Sequence, residues 1–233
     1  MLAAIALTPS APLLVPELAG SAVEAAQLRA ACITAAGALP DRWIAIGVGS
    51  EDGLFADVCG TFAGYGADVP AALSPQARPA PAGVPLCALI AGWLRGQSAP
   101  QAAVSVRVYR AELDSPAALQ CGRVLRAEID RDPAPVGVLV VADGANTLTQ
   151  SAPGGFDPEA GPEQDALDHA LAVADTVALA RLGDGPVGAV AYRVLAGLAG
   201  STAWSAEELY RGAPYGVGYF AGVWRRAPAA GAL

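Results

Sequence analysis

One apolar segment limits the fold more than any other feature of this sequence. From Val136 to Ala142 every residue is Val, Leu or Ala except Gly137. The run is far too short for a helix that crosses a bilayer, which takes about 20 apolar residues. It is typical of a central β-strand that helices cover on both faces. The segment therefore predicts a layered α/β fold.

Strand-like and helix-like patterns alternate along the rest of the 233-residue chain. Alternation of this kind predicts an α/β fold with a central, mostly parallel or mixed sheet flanked by helices. We expect a single domain over residues 1–226 and a flexible tail at 227–233. The predicted strands are 2–7, 43–48, 104–109, 136–142 and 215–224. The predicted helices are 17–39, 85–96, 115–131, 159–174, 176–182, 187–198 and 204–211.

Three local features add detail to this prediction. In the first helix the apolar side chains expected to be buried are Leu18, Val23, Leu28 and Ile33. Ser115 is expected to cap the helix that Pro116 opens, since serine is a preferred N-cap and proline suits the first turn. Residues 71–84, rich in proline and alanine, are expected to form an exposed loop.

Charge and cysteine content exclude several classes of protein. The net charge is −8 and the isoelectric point is near 4.6, whereas a nucleic-acid partner demands a basic surface. The first residues lack the basic region of a signal peptide, and Pro9 interrupts them. We expect a cytoplasmic protein with no membrane partner. Four cysteines without metal-ligand spacing are expected to be free thiols, mostly buried; they are Cys32, Cys59, Cys87 and Cys121.

The loops that follow the predicted strands are where a ligand site is expected, because ligands of open α/β sheets bind at the carboxyl ends of strands. Several of these loops carry polar side chains, and a further polar element precedes the last strand. The candidate cleft residues are Ser10, Ser50, Glu51, Asp143, Asn146, Thr149 and Tyr215. Asp143 and Asn146 also suit turns in which the side chain bonds its own backbone, so a structural role for them stays open.

Several blocks of the sequence resemble one known family. Residues 6–17 (ALTPSAPLLVPE) are similar to the opening strand and loop of the class III extradiol dioxygenase catalytic subunits, which include the protocatechuate 4,5-dioxygenase beta subunit and the Memo-type proteins. Residues 140–149 (VVADGANTLT) and 152–158 (APGGFDP) resemble later blocks, and residues 215–220 (YGVGYF) resemble the closing strand. The blocks occur in family order along nearly the whole chain. The resemblance implies an extradiol dioxygenase class III-like fold, often assembled as an oligomer.

The same resemblance implies an iron site whose ligands this chain does not carry. Family members hold Fe(II) with two histidines and a glutamate, and a third histidine acts as acid and base. Transferred position by position, the first metal histidine falls on Ser10 and the second near Gly49 or Ser50. The acid/base histidine falls on Asn146, and the glutamate falls near Ala189. We therefore expect neither a metal nor another cofactor.

The single histidine of the chain, His169, lies on a predicted helix away from these loops. It could act as a base oriented by Asp165, but a surface histidine is the simpler interpretation. The sequence thus predicts a metal-free, non-catalytic homologue that binds a small molecule or a protein partner through the cleft. The alternatives are an enzyme with relocated, metal-independent chemistry, including a carboxylate pair of Asp143 and Glu51, and a ring-cleaving oxidoreductase. Self-association as a homo-oligomer is a further expectation.

Overall fold

The structure is a computed structural model that describes residues 1–20, 23–81 and 83–227. Within these residues the strands are β1 (Leu2–Thr8), β2 (Arg42–Gly49), β3 (Gly53–Ala56), β4 (Val58–Thr61), β5 (Pro70–Ala72), β6 (Arg78–Pro79), β7 (Ala103–Arg110), β8 (Val136–Val141), β9 (Trp204–Gly212) and β10 (Tyr219–Arg226). The helices are α1 (Pro16–Ala19), α2 (Val23–Gly37), α3 (Leu86–Ser98), α4 (Ser115–Asp130), α5 (Ala160–Val173), α6 (Thr176–Ala180) and α7 (Ala189–Ala199).

A seven-stranded mixed sheet is the centre of the fold. Its strand order is β3-β7-β2-β8-β1-β10-β9. The four inner strands β7, β2, β8 and β1 are parallel, whereas β3, β10 and β9 each run antiparallel to a neighbour. β8 is the middle strand and all of its residues are buried, as the apolar run predicts. The α/β prediction with a mixed, mostly parallel sheet is confirmed.

Helices cover both faces of this sheet. Along β8, Leu139 and Val141 point to the layer that contains α2 and α3, and Val138 and Val140 point to the layer of α4 to α7. Burying one such side chain contributes about 1.5–3 kcal/mol, so a strand that is apolar on both faces is stable only between two layers. Among the described residues no helix is long and apolar enough to cross a membrane.

The segment 204–211, predicted as a helix, is instead the edge strand β9. Its composition suits a helix, yet its backbone pairs antiparallel with β10 from Trp204↔Arg226 to Gly212↔Tyr219. Trp204 and Ala206 pack against the core while Ser205 and Glu207 are exposed, which is the period of two of a strand. The helix prediction was wrong because pairing with β10 outweighs local helix propensity.

The segment 71–84 is only partly the exposed loop that its composition predicts. Ala71 and Leu73 are buried, and β5 and β6 flank β4 in a small second sheet. The backbone N–H of Leu73 donates to Val58, and Leu73 accepts from Val104. Proline does not prevent this pairing, because Pro70 and Pro79 lie at strand ends, where a missing N–H is tolerated.

Three other local predictions need correction. The N-cap of α4 is Asp114, whose carboxylate accepts from Ala117, and Ser115 is the first helical residue. The helix predicted over 17–39 is two helices, with Gly20 between them at φ 56°. Leu28 is buried, but Val23 is 76% exposed and belongs to no core.

The two chain ends meet in the sheet, because β1 pairs with both β8 and β10. β10 begins at Tyr219 and not at Tyr215, since Tyr215 has a positive φ of 62° in the turn Pro214–Gly216.

The predicted tail starts at residue 227, and its residues 228–233 lie outside the described part of the chain. The one-domain prediction stays a prediction. All four cysteines are free thiols, with Cys32 and Cys87 buried and Cys59 and Cys121 half-buried.

Candidate functional site

The carboxyl ends of three parallel strands lie side by side at one edge of the sheet. Thr8 of β1 is in register with Val141 of β8, and Gly47 of β2 is in register with Val141 from the other side. The loops that begin at Ser10, at Gly49 and at Asp143 therefore leave the sheet together. β10 enters the sheet at this same edge because it runs antiparallel to β1.

Asp143, two residues beyond β8, is the carboxylate at the centre of this edge. Its Oδ1 accepts a hydrogen bond from the backbone N–H of Ser10 at 2.9 Å. The residue is half-buried. Loss of water around the carboxyl raises its pKa to about 7, although the N–H of Ser10 acts in the opposite direction. The side chain thus bonds a neighbouring strand end and not its own turn.

Three groups from other elements surround Asp143. Cys32 of α2 and Tyr219 of β10 lie on the α2 side of the sheet, and Tyr192 of α7 lies behind it. Burial raises the pKa of all three groups, and the nearby charge of Asp143 raises each of them further. The Tyr192 hydroxyl donates to the backbone oxygen of Ala142 at 2.8 Å. These groups therefore stay protonated at neutral pH.

The Tyr219 hydroxyl is the second polar group that is available in the cleft. Tyr219 is only 6% exposed. Its hydroxyl has no hydrogen-bond partner within residues 1–20, 23–81 and 83–227. Two side-chain polar atoms in these residues are fully buried without a partner, Oγ of Ser74 and Nε of Arg107, and the Tyr219 hydroxyl is not among them. The hydroxyl oxygen therefore keeps some contact with solvent, and it does not bond to Asp143.

Glu24, Tyr210 and Tyr215 lie close to one another and to Cys32. The Tyr215 hydroxyl donates to Oε2 of Glu24 at 3.4 Å and so joins the turn before β10 to α2. Tyr210 is half-buried; burial raises its pKa, and Cys32, Glu24 and Tyr215 raise it further. We call Asp143, Tyr219, Cys32, Tyr210, Tyr215 and Glu24 the Asp143 cleft.

Gln164 of α5 holds the loop after β8 in place. Its Oε1 accepts from the N–H of Ala145 at 2.8 Å, and its Nε2 donates to Asp168 at 2.8 Å. The carboxamide is so tightly enclosed that a methyl group on Gly144 would lie 2.1 Å from Oε1, and one on Gly218 would lie 2.3 Å from Cδ. Gln164 and Asp168 are buried, and burial raises the pKa of Asp168 to about 6.

The structure brings only some of the predicted residues together. Ser10 and Asp143 bond directly, and Tyr215 closes the same cleft. Ser50 and Glu51 line a different pocket between β2, β3 and the start of α3, so Glu51 forms no carboxylate pair with Asp143 there.

The remaining predicted residues lie in the loop after β8 or away from the edge. Asn146 is half-buried against Gly154, and the exposed Thr149 lies 3.4 Å from the hydroxyl of Ser151. His169 is exposed on α5. None of these three side chains belongs to the Asp143 cleft as defined above.

Several cleft residues were missed at the sequence level. Tyr219 alternates with Ala221 and Val223 on one face of β10, and that period was the available signal. Cys32 lies four positions after the buried Leu28 on α2, so helical spacing could have placed it on the inward face. Nothing local indicated Tyr210, Glu24 or Gln164, because their partners are distant in sequence.

The residues at the implied iron positions do not fit a 2-His-1-carboxylate site. The N–H of Ser10 is directed at Asp143, Asn146 offers a carboxamide, and Ala189 is buried at the start of α7. Within the described ranges, no group of three or more His, Cys, Asp or Glu side chains is arranged to hold a metal ion.

Fold and site together define a mixed α/β protein with a carboxylate and tyrosine cleft at the carboxyl ends of its parallel strands. The fold is similar to that of the uncharacterized protein JW3007 from Escherichia coli K12, whose crystal structure matches with a TM-score of 0.59 and 12% identity, over 95% of this chain and 99% of that chain. No protein-family model and no curated protein matches the chain.

Proposed function

We propose that the protein is a metal-free, non-catalytic relative of the class III extradiol dioxygenases that binds a small molecule in the Asp143 cleft. The observation that carries the proposal is the pair formed by the half-buried Asp143 carboxyl and the Tyr219 hydroxyl, which has no hydrogen-bond partner among the described residues. A pocket with a few converging polar groups, at the strand ends of an α/β sheet, is the usual form of a ligand site.

The placement of the resembling sequence blocks supports the family part of the proposal. Ser10 of the first block donates its backbone N–H to Asp143 of the second block. The closing block pairs with the second through backbone bonds of Gly218 with Gly144 and Ala145. Gly188, next to the position of the family glutamate, donates its N–H to the backbone oxygen of Asp143. The blocks therefore meet at one edge, as a common site requires.

The side chains at those positions support the non-catalytic part. Serine, asparagine and alanine at Ser10, Asn146 and Ala189 offer no imidazole and no carboxylate in place of the family ligands. The four free cysteines accord with a reducing compartment, and we place the protein in the cytoplasm on that basis.

A crystallographic fragment screen on the full chain tests ligand binding. The expected result is fragment density between Asp143 and Tyr219, and its loss in Asp143→Ala crystals. Elemental analysis of the same protein should find no stoichiometric iron, zinc or manganese. A cleft that stays without fragments across the screen contradicts the binding function, and one equivalent of tightly held metal contradicts the metal-free assignment.

A second candidate function is metal-independent catalysis, and the pKa of Asp143 favours it. A carboxyl with a pKa of about 7 can give and take a proton near neutral pH, as a general acid or base must. If this is the function, Asp143→Asn removes a measurable turnover and leaves the melting temperature equal to or above that of the parent. A turnover that survives Asp143→Asn excludes this candidate.

A protein partner docking at the cleft would instead be displaced by cleft-bound fragments.

A further inference from the structure

We infer that the ligand of the Asp143 cleft carries a protonated amine, which pairs with the Asp143 carboxylate and donates to the Tyr219 hydroxyl. The inference rests on the proposed function, because it names the chemical class that the same cleft would take. Four observations carry it, and they concern charge, hydrogen-bond capacity, the aromatic wall and the absence of an anion receptor.

Asp143 has no cation beside it. Seven acidic side chains of the described residues form ion pairs with arginines, as Asp52 does with Arg110 and Glu128 with Arg107. Asp143 accepts only the neutral N–H of Ser10, and no ion pair within residues 1–20, 23–81 and 83–227 includes it. A sheltered carboxylate without a counter-charge is unfavourable, so a cationic ligand would supply what the fold leaves out.

The free hydrogen-bonding capacity of the cleft suits an ammonium group. Asp143 keeps Oδ2 and the remaining lone pairs of Oδ1, and Tyr219 offers a phenolic oxygen that bonds nothing else in the described residues. Glu24, which accepts from Tyr215, adds a carboxylate. An ammonium has three donors and no acceptor, so it can donate to both Asp143 and Tyr219.

The three tyrosines of the cleft also favour a cationic ligand. Tyr210 of β9 pairs with Ala221 of β10, two positions beyond Tyr219 on the same face, and Tyr215 lies in the turn between the two strands. Phenol rings attract a cation over their faces, an effect of about 0.5–2 kcal/mol that grows when water is excluded. An aliphatic or aromatic amine would use both the rings and the carboxylate.

An anionic ligand would find no receptor in this cleft. Arg29 is the arginine of α2, the helix that carries Glu24 and Cys32, and its guanidinium donates to the backbone oxygens of Leu14 and Leu13. Its charge contributes to none of the pKa shifts of Asp143, Tyr219 or Tyr210. A carboxylate ligand would therefore meet Asp143 and Glu24 without a compensating charge.

Three probes of the same shape separate the amine from other ligands. Benzylamine, benzyl alcohol and benzoate are titrated into the full-length protein at pH 8, and binding is followed by ligand-observed NMR. We expect benzylamine to bind at least tenfold more tightly than benzyl alcohol, and benzoate not to bind. Equal affinity of amine and alcohol would overturn the amine inference but leave the cleft as a ligand site. No binding of any probe, with fragments still found in the crystal cleft, would also overturn only the amine inference.

Matched variants show whether the preference belongs to Asp143. Asp143→Asn keeps the shape and removes the charge, and should reduce the preference for benzylamine over benzyl alcohol to less than threefold. Tyr219→Phe should weaken benzylamine about twofold to tenfold, the range for one hydrogen bond. Asp52→Asn removes the same charge from the other side of the sheet edge and should leave both affinities unchanged. An equal loss in Asp52→Asn would mean non-specific charge attraction and would overturn the assignment.

The pH dependence gives an independent check. Because the pKa of Asp143 is about 7, benzylamine should bind about tenfold more weakly at pH 6 than at pH 8. The other titratable groups of the cleft are Cys32, Tyr210, Tyr215, Tyr219 and Glu24, and Tyr192 lies behind Asp143 on the opposite face of the sheet. The pKa of the thiol and of the four phenols is raised, so they keep their protons over this range. An affinity that does not change between pH 6 and pH 8 contradicts pairing with Asp143.

Discussion

The two sides of one sheet edge treat their acidic side chains in opposite ways. Asp52, beside β2 and β7, accepts the backbone N–H of Arg110 at 2.8 Å and pairs with the Arg110 guanidinium at 2.5 Å. Those bonds lower the pKa of Asp52, chiefly through the backbone N–H. Asp143, beside β8 and β1, accepts one backbone N–H and pairs with no cation of the described residues, and its pKa rises to about 7. The side chain of Asp52 is half exposed to water.

Within the fold Asp52 has both a hydrogen-bond donor and a counter-charge, whereas Asp143 has only a hydrogen-bond donor. Asp52 behaves as an ordinary surface charge whose ion pair adds little stability. Asp143 is held where ionisation is unfavourable, and perturbed carboxyls of that kind cluster at functional sites. Ser50 and Glu51 lie on the same side as Asp52. The candidate site is therefore centred on Asp143 and β10 and not on these two residues.

The largest effect is expected from crowding the loop that carries Asp143. A Gly144→Ala methyl would lie 2.1 Å from Oε1 of Gln164, which is buried and bonded at both ends and cannot move aside. We expect Gly144→Ala to lower the free energy of unfolding by about 3 kcal/mol or more. Urea denaturation followed by circular dichroism measures it.

The matched control on the Asp52 side is Gly53→Ala. Its methyl would meet the ring edge of Phe55 at 2.8 Å, and that half-buried ring can turn away. The expected loss is below about 1 kcal/mol. If both variants lost the same stability, the Asp143 loop would be no more tightly enclosed than the other side.

Removing the two hydrogen bonds of the Gln164 carboxamide should have the next largest effect on stability. Gln164→Met keeps the length of the side chain but leaves the Ala145 N–H and the Asp168 carboxyl without their partner. We expect a loss of about 2–3 kcal/mol, since an unsatisfied buried polar group costs about 1–3 kcal/mol. Arg110→Met, which breaks the exposed ion pair with Asp52, should cost less than about 1 kcal/mol. Chemical denaturation at pH 7 would contradict the contrast if the order were reversed.

Neutralising the two acids should change stability in opposite directions. The folded-state pKa of Asp143 is about 7 and its ordinary value is 3.8, so its protonated form stabilises the fold at low pH and that stability is lost as pH rises through 7. The full difference amounts to about 4 kcal/mol as a ceiling. We therefore expect Asp143→Asn to be more stable than the parent by about 2 kcal/mol at pH 8 and about equal to it at pH 4.

Asp52→Asn should change the stability in the opposite direction. The pKa of Asp52 is lowered in the fold, so its contribution is present above its ordinary pKa and lost as pH falls through the folded value. The variant should be less stable than the parent at pH 8, by under about 1 kcal/mol because the pair is exposed. Thermal melts of both variants between pH 4 and pH 8 measure the two slopes. A parent-like slope in Asp143→Asn would show that another group titrates.

The predictable part of the fold rests on local patterns. The apolar run 136–142 placed the central strand, and the strand ends that follow it placed Ser10 and Asp143 at one edge. Residues 204–211 were mistaken for a helix because an edge strand with one face in water can have the composition of a helix. The short strands β3, β5 and β6 escaped notice for a similar reason, since brief edge pairings leave little period in the sequence.

What the sequence determined by itself is the layered α/β fold and the presence of a single histidine, because apolar period and residue identity are local properties. Only the tertiary structure decided which polar residue matters. Asp143 obtains its environment from Ser10, which is 133 residues away in sequence, and from Cys32 and Tyr219, which belong to other elements. The pKa of a carboxyl depends on the water and charge around it, and no sequence spacing encodes those contacts.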